Sequence, residues 1–265
     1  MIILQNIKSN IYNIARTLFY KMSDRFNLYK RRKVLKNTVA HSLQSKYLDC
    51  FEMLQLIKEN SQQDICIYDV GACIGTFTIL AKGLFPNSIV HAFEPLPDHF
   101  QRLKSDTQGI TNINLHQIGL GAENKVTRIN VTNNSDSSSI LKPSTQIKKY
   151  WDISTVEVRE IKIYRLDDYV KNETHSIQMP DLIKLDVQGY ELEVLEGAYR
   201  CLMQATWIII EISFEELYEG QPLFHEIVNF MAKNDYYLYS LGKNTSTGLH
   251  PLVQADCLFK RNKLV

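Results

Sequence analysis

Four acidic residues sit at the ends of apolar runs that read as buried strands: Asp69 in "IYDV", Glu94 in "VHAFEP", Asp186 in "LIKLDV" and Glu211 in "IIIEIS". Unpaired carboxylates are costly to bury, so four of them gathered at strand ends point to a site rather than to packing. What the first two face is set by glycines. The turn Asp69-Val-Gly71-Ala-Cys73-Ile-Gly75 has no G-K-[ST] triplet to grip a phosphate and no G-x-G-x-x-G to seat a pyrophosphate. A carboxylate ahead of the turn repels phosphate and favours a cationic amine and ribose hydroxyls. Glu94, 25 residues further on at the end of the next strand, is placed to accept hydrogen bonds from both ribose hydroxyls. Dinucleotide enzymes place an acid similarly, so Glu94 alone does not discriminate. Asp69, Gly71, Gly75 and Glu94 together point to S-adenosylmethionine; a helix-capping role is the competing reading of Asp69.

These residues need a frame that brings strand ends together. From residue 64, "ICIYDV", "SIVHAFEP" and "INLHQIGL" read as strands separated by the helices "IGTFTILAKGLF" and "LPDHFQRLKSD", a succession that implies a parallel sheet with right-handed crossovers. "KVTRINV" and "TVEVREIKIY" alternate with period two around the polar tract "TNNSDSSS", which predicts antiparallel additions flanking an exposed loop. Parallel strands resume with "PDLIKLDV" and "TWIIIEIS", with "YELEVLEGAYRCLM" helical between them. Phe224, Ile227, Val228 and Met231 form the stripe of a further helix. "YYLYSL" and "ADCLFKR" are expected as an antiparallel pair at one edge.

In their order and spacing, "DVGACIGTFTILA", "AFEP", "SDSSSIL", "RLDDYV", "DLIKLDVQGYELEVLEGA", "IIIEISFEELYEG" and "QADCLFKR" resemble the FkbM-type S-adenosylmethionine-dependent methyltransferases. The likeness runs over residues 60–262 or thereabouts. The family usually has Asn where this chain has Cys73, which implies loss of a side-chain contact near the cofactor while backbone contacts survive. Gln188 stands where Glu is common and removes one acid. The resemblance implies an α/β, class I (Rossmann-like) fold: a seven-stranded, mostly parallel sheet with one antiparallel strand and helices on both faces, here preceded by an N-terminal helical extension. Ligands in such sheets lie outside the carboxyl ends of the strands at the topological switch point.

The implied activity is methyl transfer from S-adenosylmethionine to a hydroxyl, that of a sugar in a glycan or glycosylated metabolite. Cofactor contacts are expected from Asp69, Gly71, Cys73, Gly75, Glu94 and Asp186, and from Gly119, where the third strand's end meets the adenine. An alcohol acceptor must lose a proton as its oxygen attacks, a task worth about 10²–10⁴-fold. Asp186 is the first candidate, as base or orienting acceptor, with Lys184 two residues away as an ion-pair partner. Glu211, ending the neighbouring strand, is the second, and His225 at a helix start the third. A turn acid before Gly189 is the competing reading of Asp186. His99 and His116 are weaker candidates. A divalent cation held through Asp186 and Glu211 is left unassigned, because no H-x-E or D-x-D cluster supports one. The serine-rich loop reads either as a surface loop or as a lid in which Ser137–Ser139 order over the ligands. Two other readings stay open: a partner protein that keeps the fold without turnover, and a nicotinamide-dependent oxidoreductase, disfavoured by Asp69 and the missing third glycine.

The bulk composition agrees with a globular enzyme-sized body. The 265 residues are 45% hydrophobic and 22% charged. Five cysteines, odd in number and without a C-x-x-C pair, argue against a disulfide framework or zinc site and fit a reducing cytoplasm. The net charge of +1 hides an asymmetry: residues 1–60 carry 11 Lys+Arg against 4 Asp+Glu, hence +7, and the rest 19 against 25, hence −6. This separates a basic helical extension, 1–60, from a methyltransferase domain, 61–265. Ile3, Ile7, Ile11, Ile14 and Leu18 recur at helical spacing in the extension, and Tyr47, Phe51, Leu54 and Ile57 in a second pattern. The extension is expected to cap the main domain or, through residues 1–35, to rest on an anionic membrane at its inner face. Nucleic-acid binding is not expected, because no aromatic interleaving accompanies the basic run. No apolar run or leader pattern predicts a membrane span or secretory signal. The sequence does not fix the oligomeric state.

Overall fold

The computed structural model describes residues 25–45, 50–61, 64–172, 177–244 and 252–262. The chain divides into two units, 1–48 and 49–265. The first is helical over 25–35 and then makes a short 3-10 turn, His41–Leu43; the isoleucine stripe of residues 3–14 lies outside the described residues. Among the described residues, no helix is long and apolar enough to cross a membrane.

The second unit is built on a seven-stranded sheet. Its strands are β1 (Cys66–Val70), β2 (Ile89–Phe93), β3 (Ile113–His116), β7 (Leu182–Leu185), β8 (Trp207–Ser213), β9 (Tyr236–Asn244) and β10 (Gln254–Arg261), in the order β3-β2-β1-β7-β8-β10-β9. Only β10 runs antiparallel, against both β8 and β9; the other neighbours pair in parallel. That is the class I arrangement, with the antiparallel pair at one edge as the closing "YYLYSL" and "ADCLFKR" predict. The central strands β1 and β7 are buried along their whole length, which is why they read as continuous apolar runs rather than alternating ones.

Around the sheet lie α1 (Phe51–Asn60), α2 (Thr76–Leu84), α3 (Pro97–Asp106), α4 (Thr145–Trp151), α5 (Leu166–Asn172), α6 (Glu191–Glu196), α7 (Tyr199–Gln204) and α8 (Phe224–Lys233). On one face Tyr68, Val70, Ile183, Leu185, Ile208 and Ile210 share a core with Val194 and Leu195 of α6, Leu202 of α7, and Ile227 and Met231 of α8. The alternate residues Ile67, Leu182 and Ile209 are equally buried, and α1 lies against α2. Strand order reverses at β1: the chain goes to β2 on one side and comes back through β7 on the other. The connections that leave β1 and β7 therefore part to opposite sides, and the carboxyl ends of these strands mark the switch point at which ligands bind in such sheets.

The third predicted strand is shorter than its sequence suggests. "INLHQIGL" breaks at Gln117–Ile118, and β4 (Gly119–Leu120) leaves for a second sheet with β5 (Lys125–Thr132) and β6 (Thr155–Tyr164), in the order β4-β6-β5. Glycine permits this crossing, because a Cβ at 119 would lie 2.8 Å from Ile163 Cγ2 on the paired strand. Strands β5 and β6 pair antiparallel, as their alternation predicts.

Strands β2 and β3 bring together a buried imidazole, His91, and a half-buried one, His116. His91 Nδ1 lies 3.0 Å from His116 Nε2, and His116 Nδ1 lies 3.1 Å from the Tyr169 hydroxyl. Burial pushes both rings down to about 4, and the neighbouring His116 adds to this at His91. The unfolded chain protonates both near pH 6.5 while the fold resists until about 4. Their contribution is thus complete above about pH 6.5 and is lost as the pH falls toward 4. Glu94 and Glu191, each pushed up to about 7 by burial, work the other way and gain stability on acidification. A double replacement isolates the imidazoles. His91→Phe with His116→Phe is expected to lose about 2–4 kcal/mol less stability than the wild type between pH 7.5 and 5, measured by urea denaturation; equal losses at both pH values would contradict this account.

Candidate active site

The turn after β1 is shaped by backbone that only glycine adopts freely. Gly71 has φ +78°, and a Cβ there would lie 1.9 Å from the Asp186 carbonyl oxygen. The turn after β1 and the turn after β7 are thus in contact through a single hydrogen. The N–H groups of Gly71 and Ala72 both donate to the Phe93 carbonyl at 3.0 Å, tying the turn to the end of β2. Cys73 follows at φ +49° and Gly75 at φ +90°, the latter as the residue that begins α2. The left-handed backbone at 73 suits Asn better than Cys.

Glu94 holds this turn from beyond β2. Its Oε2 accepts from the Cys73 N–H at 2.9 Å and its Oε1 from the Leu96 N–H at 2.8 Å, with His99 Nδ1 at 3.8 Å from the same Oε1. Burial pushes its carboxyl up to about 7, against the pull of the two backbone N–H groups. Asp69 lies wholly buried beneath the turn. Its Oδ2 accepts from the Thr78 hydroxyl of α2 at 2.6 Å, a tie to the helix rather than its N-cap, which is Gly75, while its Oδ1 has no hydrogen-bond partner.

Lys184 connects the two halves of the rim. It stands directly opposite Asp69 in the β1–β7 register, and its Nζ donates to Asp186 Oδ2 at 2.8 Å. Burial works against its charge, yet Asp186 and Asp69 outweigh burial and raise its pKa. This is the ion pair that the Lys184–Asp186 spacing suggests.

Asp186 and Glu211 meet through an unforeseen residue. Gln188 Nε2 donates to Asp186 Oδ1 at 2.8 Å and to Glu211 Oε2 at 2.9 Å. Glu211 has its carboxyl raised well above the usual range, first by burial, then by the charges of Asp186, Asp256 and Glu191, with Lys184 opposing. Gln188 holds φ +55°, followed by Gly189 at +97°. The turn is braced by Glu191, whose Oε1 accepts from the N–H groups of Val187 and Gly189 at 3.1 Å each. In the sequence, Gln188 reads only as a lost acid and Glu191 as part of a helix. The sole signal for either is the strained tract before Gly189.

The serine-rich loop spans both halves. Cys73 Sγ lies 3.4 Å from Asp136 Oδ1 beside the glycine turn. At the other end, Ser139 Oγ donates to the Gln188 carbonyl at 2.6 Å, and the Tyr218 hydroxyl lies 2.9 Å from the Ser137 carbonyl and 2.8 Å from Gln188 Oε1. Ser137 and Ser139 are buried.

The remaining predicted residues stand apart from this network. Gly119 is buried in β4, three residues past the end of β3. His225 is exposed in the first turn of α8, and His116 belongs to the imidazole pair. Among the described residues, no group of three or more His, Cys, Asp or Glu is arranged to hold a metal ion.

The chain is similar in sequence to known proteins. Hexuronic acid methyltransferase AglP of Haloferax volcanii is 30% identical over 163 residues, covering 61% of this chain and 61% of that protein. 2-O-methyltransferase NoeI of Sinorhizobium fredii is 25% identical over 217 residues, 79% of this chain and 85% of that one. Methyltransferase 1 of Beauveria bassiana is 27% identical over 174 residues, 61% and 68%. The chain thus spans about three-fifths of the length of the Haloferax relative and more of the others. The methyltransferase FkbM domain model matches residues 69–238, more than half of the chain and every acid of the rim. The chain belongs to the FkbM methyltransferase domain family.

Proposed function

We propose that this chain is an S-adenosylmethionine-dependent O-methyltransferase acting on a sugar hydroxyl in a glycan or glycosylated metabolite. The carrying observation is the contact of Gly71 with the Asp186 carbonyl, which sets the glycine turn directly beside a second acidic cluster. The residues present fit the cofactor. The buried Asp69 Oδ1 lacks a partner, the turn is acidic on both sides, and left-handed backbone at 71, 73 and 75 folds it tightly, with its amides bonded to Phe93, Glu94 and Ala72. Glu94 would receive the ribose hydroxyls, Gly71, Cys73 and Gly75 would line the turn, Gly119 would border the adenine, and Asp69 and Asp186 would offset the positive charge. When bound, the sulfonium supplies an activated methyl group.

The chain's own work is to align the acceptor and move one proton. Asp186, held by Lys184 at Oδ2 and by Gln188 at Oδ1, takes the proton from the acceptor hydroxyl on a remaining lone pair. Glu211, whose surroundings favour its neutral form, orients the acceptor. His225 lies outside the proton path. The sugar assignment draws on the hexuronic acid and 2-O specificity in the relatives' names.

Calorimetry with S-adenosylhomocysteine, S-adenosylmethionine and NAD, followed by labelled methyl transfer to hexuronic acids and other glycans, tests this reading. Binding without transfer to any acceptor would favour the non-catalytic partner, and binding of NAD alone the oxidoreductase. Glu94→Ala is expected to weaken S-adenosylhomocysteine binding about 10–100-fold, the worth of one or two hydrogen bonds to a charged acceptor. In the wild type, the same affinity should rise with pH through about 7 as the Glu94 carboxyl ionises. A flat profile would remove Glu94 from the ribose.

A further inference from the structure

We propose that Gln188 is a positioning residue that bridges the two rim carboxyls, keeping Asp186 an acceptor on both oxygens and confining the proton of Glu211 to Oε1. This rests on the acceptor-side reading of Asp186 and Glu211 given above. An amide nitrogen carries two hydrogens and only donates. Here both are spent on carboxylate oxygens, Asp186 Oδ1 at 2.8 Å and Glu211 Oε2 at 2.9 Å, and each of those oxygens must present a lone pair. Lys184 Nζ fills Asp186 Oδ2 at 2.8 Å. Asp186 therefore has a donor on each oxygen, whereas Gln188 leaves Glu211 Oε1 unaddressed.

The amide cannot turn over to relieve this arrangement. Rotation would set its oxygen against two carboxylates and remove the acceptor that Tyr218 now faces at 2.8 Å. The Tyr218 hydroxyl has one proton to share between Gln188 Oε1 and the Ser137 carbonyl, so the amide is also coupled to the serine-rich loop. Ser139 fixes the same residue from the backbone side. The groups facing Glu211 act in the same sense. Asp186 beyond β7, Asp256 on β10 and Glu191 on α6 favour its neutral form, and Lys184 on β7 is the opposing charge. Tyr218 is held neutral by burial and by these same acids. A glutamate at 188 would put a third carboxyl where the donor now sits and would compete with Asp186 for the ionised state.

Carbon-13 NMR of the side-chain carboxyls reads this without turnover. In the full chain, Gln188→Leu and Gln188→Glu are each expected to move the Glu211 titration midpoint upward by about one pH unit or more, because each removes a donor to the ionised form. Gln188→Glu should also move the half-maximal pH of methyl transfer upward, and Gln188→Leu should lower turnover about tenfold. Affinity for S-adenosylhomocysteine should stay within about twofold of the wild type in both variants. Unmoved carboxyl midpoints in both variants would overturn the proposal, whatever the turnover. Failure of the wild type to bind S-adenosylhomocysteine is a separate result that strikes the cofactor assignment and leaves the carboxyl readout decisive here. Thermal melting of each variant confirms that a shifted midpoint belongs to a folded chain.

Discussion

Gly71→Ala is expected to abolish measurable binding of S-adenosylhomocysteine and to lower folding stability by about 3 kcal/mol or more. The methyl group would have to occupy a point 1.9 Å from the Asp186 carbonyl oxygen, in backbone at φ +78° that L-residues avoid. Backbone cannot swing away as a side chain can. The Gly71 and Ala72 N–H groups are both bonded to Phe93, and the Asp186 N–H donates to the Val70 carbonyl at 3.1 Å. Either the turn after β1 or the turn after β7 must lift, and both belong to the site. Gly109 is the control. It has φ +82° with nothing within 4 Å of an added Cβ, so Gly109→Ala carries the left-handed penalty alone, about 1 kcal/mol. Calorimetric binding and urea denaturation of the two variants separate crowding from backbone preference. Similar losses in both would show that the contact with Asp186 does not matter.

Asp186→Asn is the second large effect, expected to fall on turnover rather than on binding. Methyl transfer should drop about 10²–10⁴-fold, the usual worth of a positioned base, while affinity for S-adenosylhomocysteine stays within about twofold. The amide keeps the size of the carboxyl and can still accept from Lys184 through one oxygen. What disappears is the capacity to take a proton, together with the acceptor that Gln188 Nε2 now meets at Oδ1. Lys184 keeps Asp69 as a charged neighbour, so the fold should survive, and circular dichroism would verify that. Unchanged turnover with saturating acceptor would transfer the base role to Glu211, and Glu211→Gln would then become the decisive variant.

The parts of this protein most legible in its sequence are those governed by short-range chemistry. Buried parallel strands write continuous apolar runs, and "ICIYDV", "LIKL" and "WIII" could be placed because burial on both faces leaves little room for polar residues. Gly71 and Gly75 were marked by spacing, and both have positive φ in the structure. The limits are also physical. The break between β3 and β4 turns on contact with Ile163, 44 residues further along, and local alternation carries no trace of it. The role of Gln188 depends on Tyr218, 30 residues away, and on Glu211, 23 away. Its residue type suggested subtraction of an acid, whereas its position makes it the donor that joins two others. The sequence presents Asp69 as facing the ligand, yet one of its oxygens serves α2; a carboxyl has two oxygens, and sequence does not say how they are divided.

The single hydrogen that separates the turn after β1 from the carbonyl of Asp186 also bears on how such an enzyme can diversify. On the function proposed above, donor and acceptor halves share a wall one atom thick, so a mutation that reshapes one half disturbs the other, and neither can drift alone. Novelty in acceptor choice is left to the segments that cover that wall without forming it, the serine-rich loop with α4 and the stretch between β8 and α8. Inherited change should accumulate there while the partition itself stays frozen.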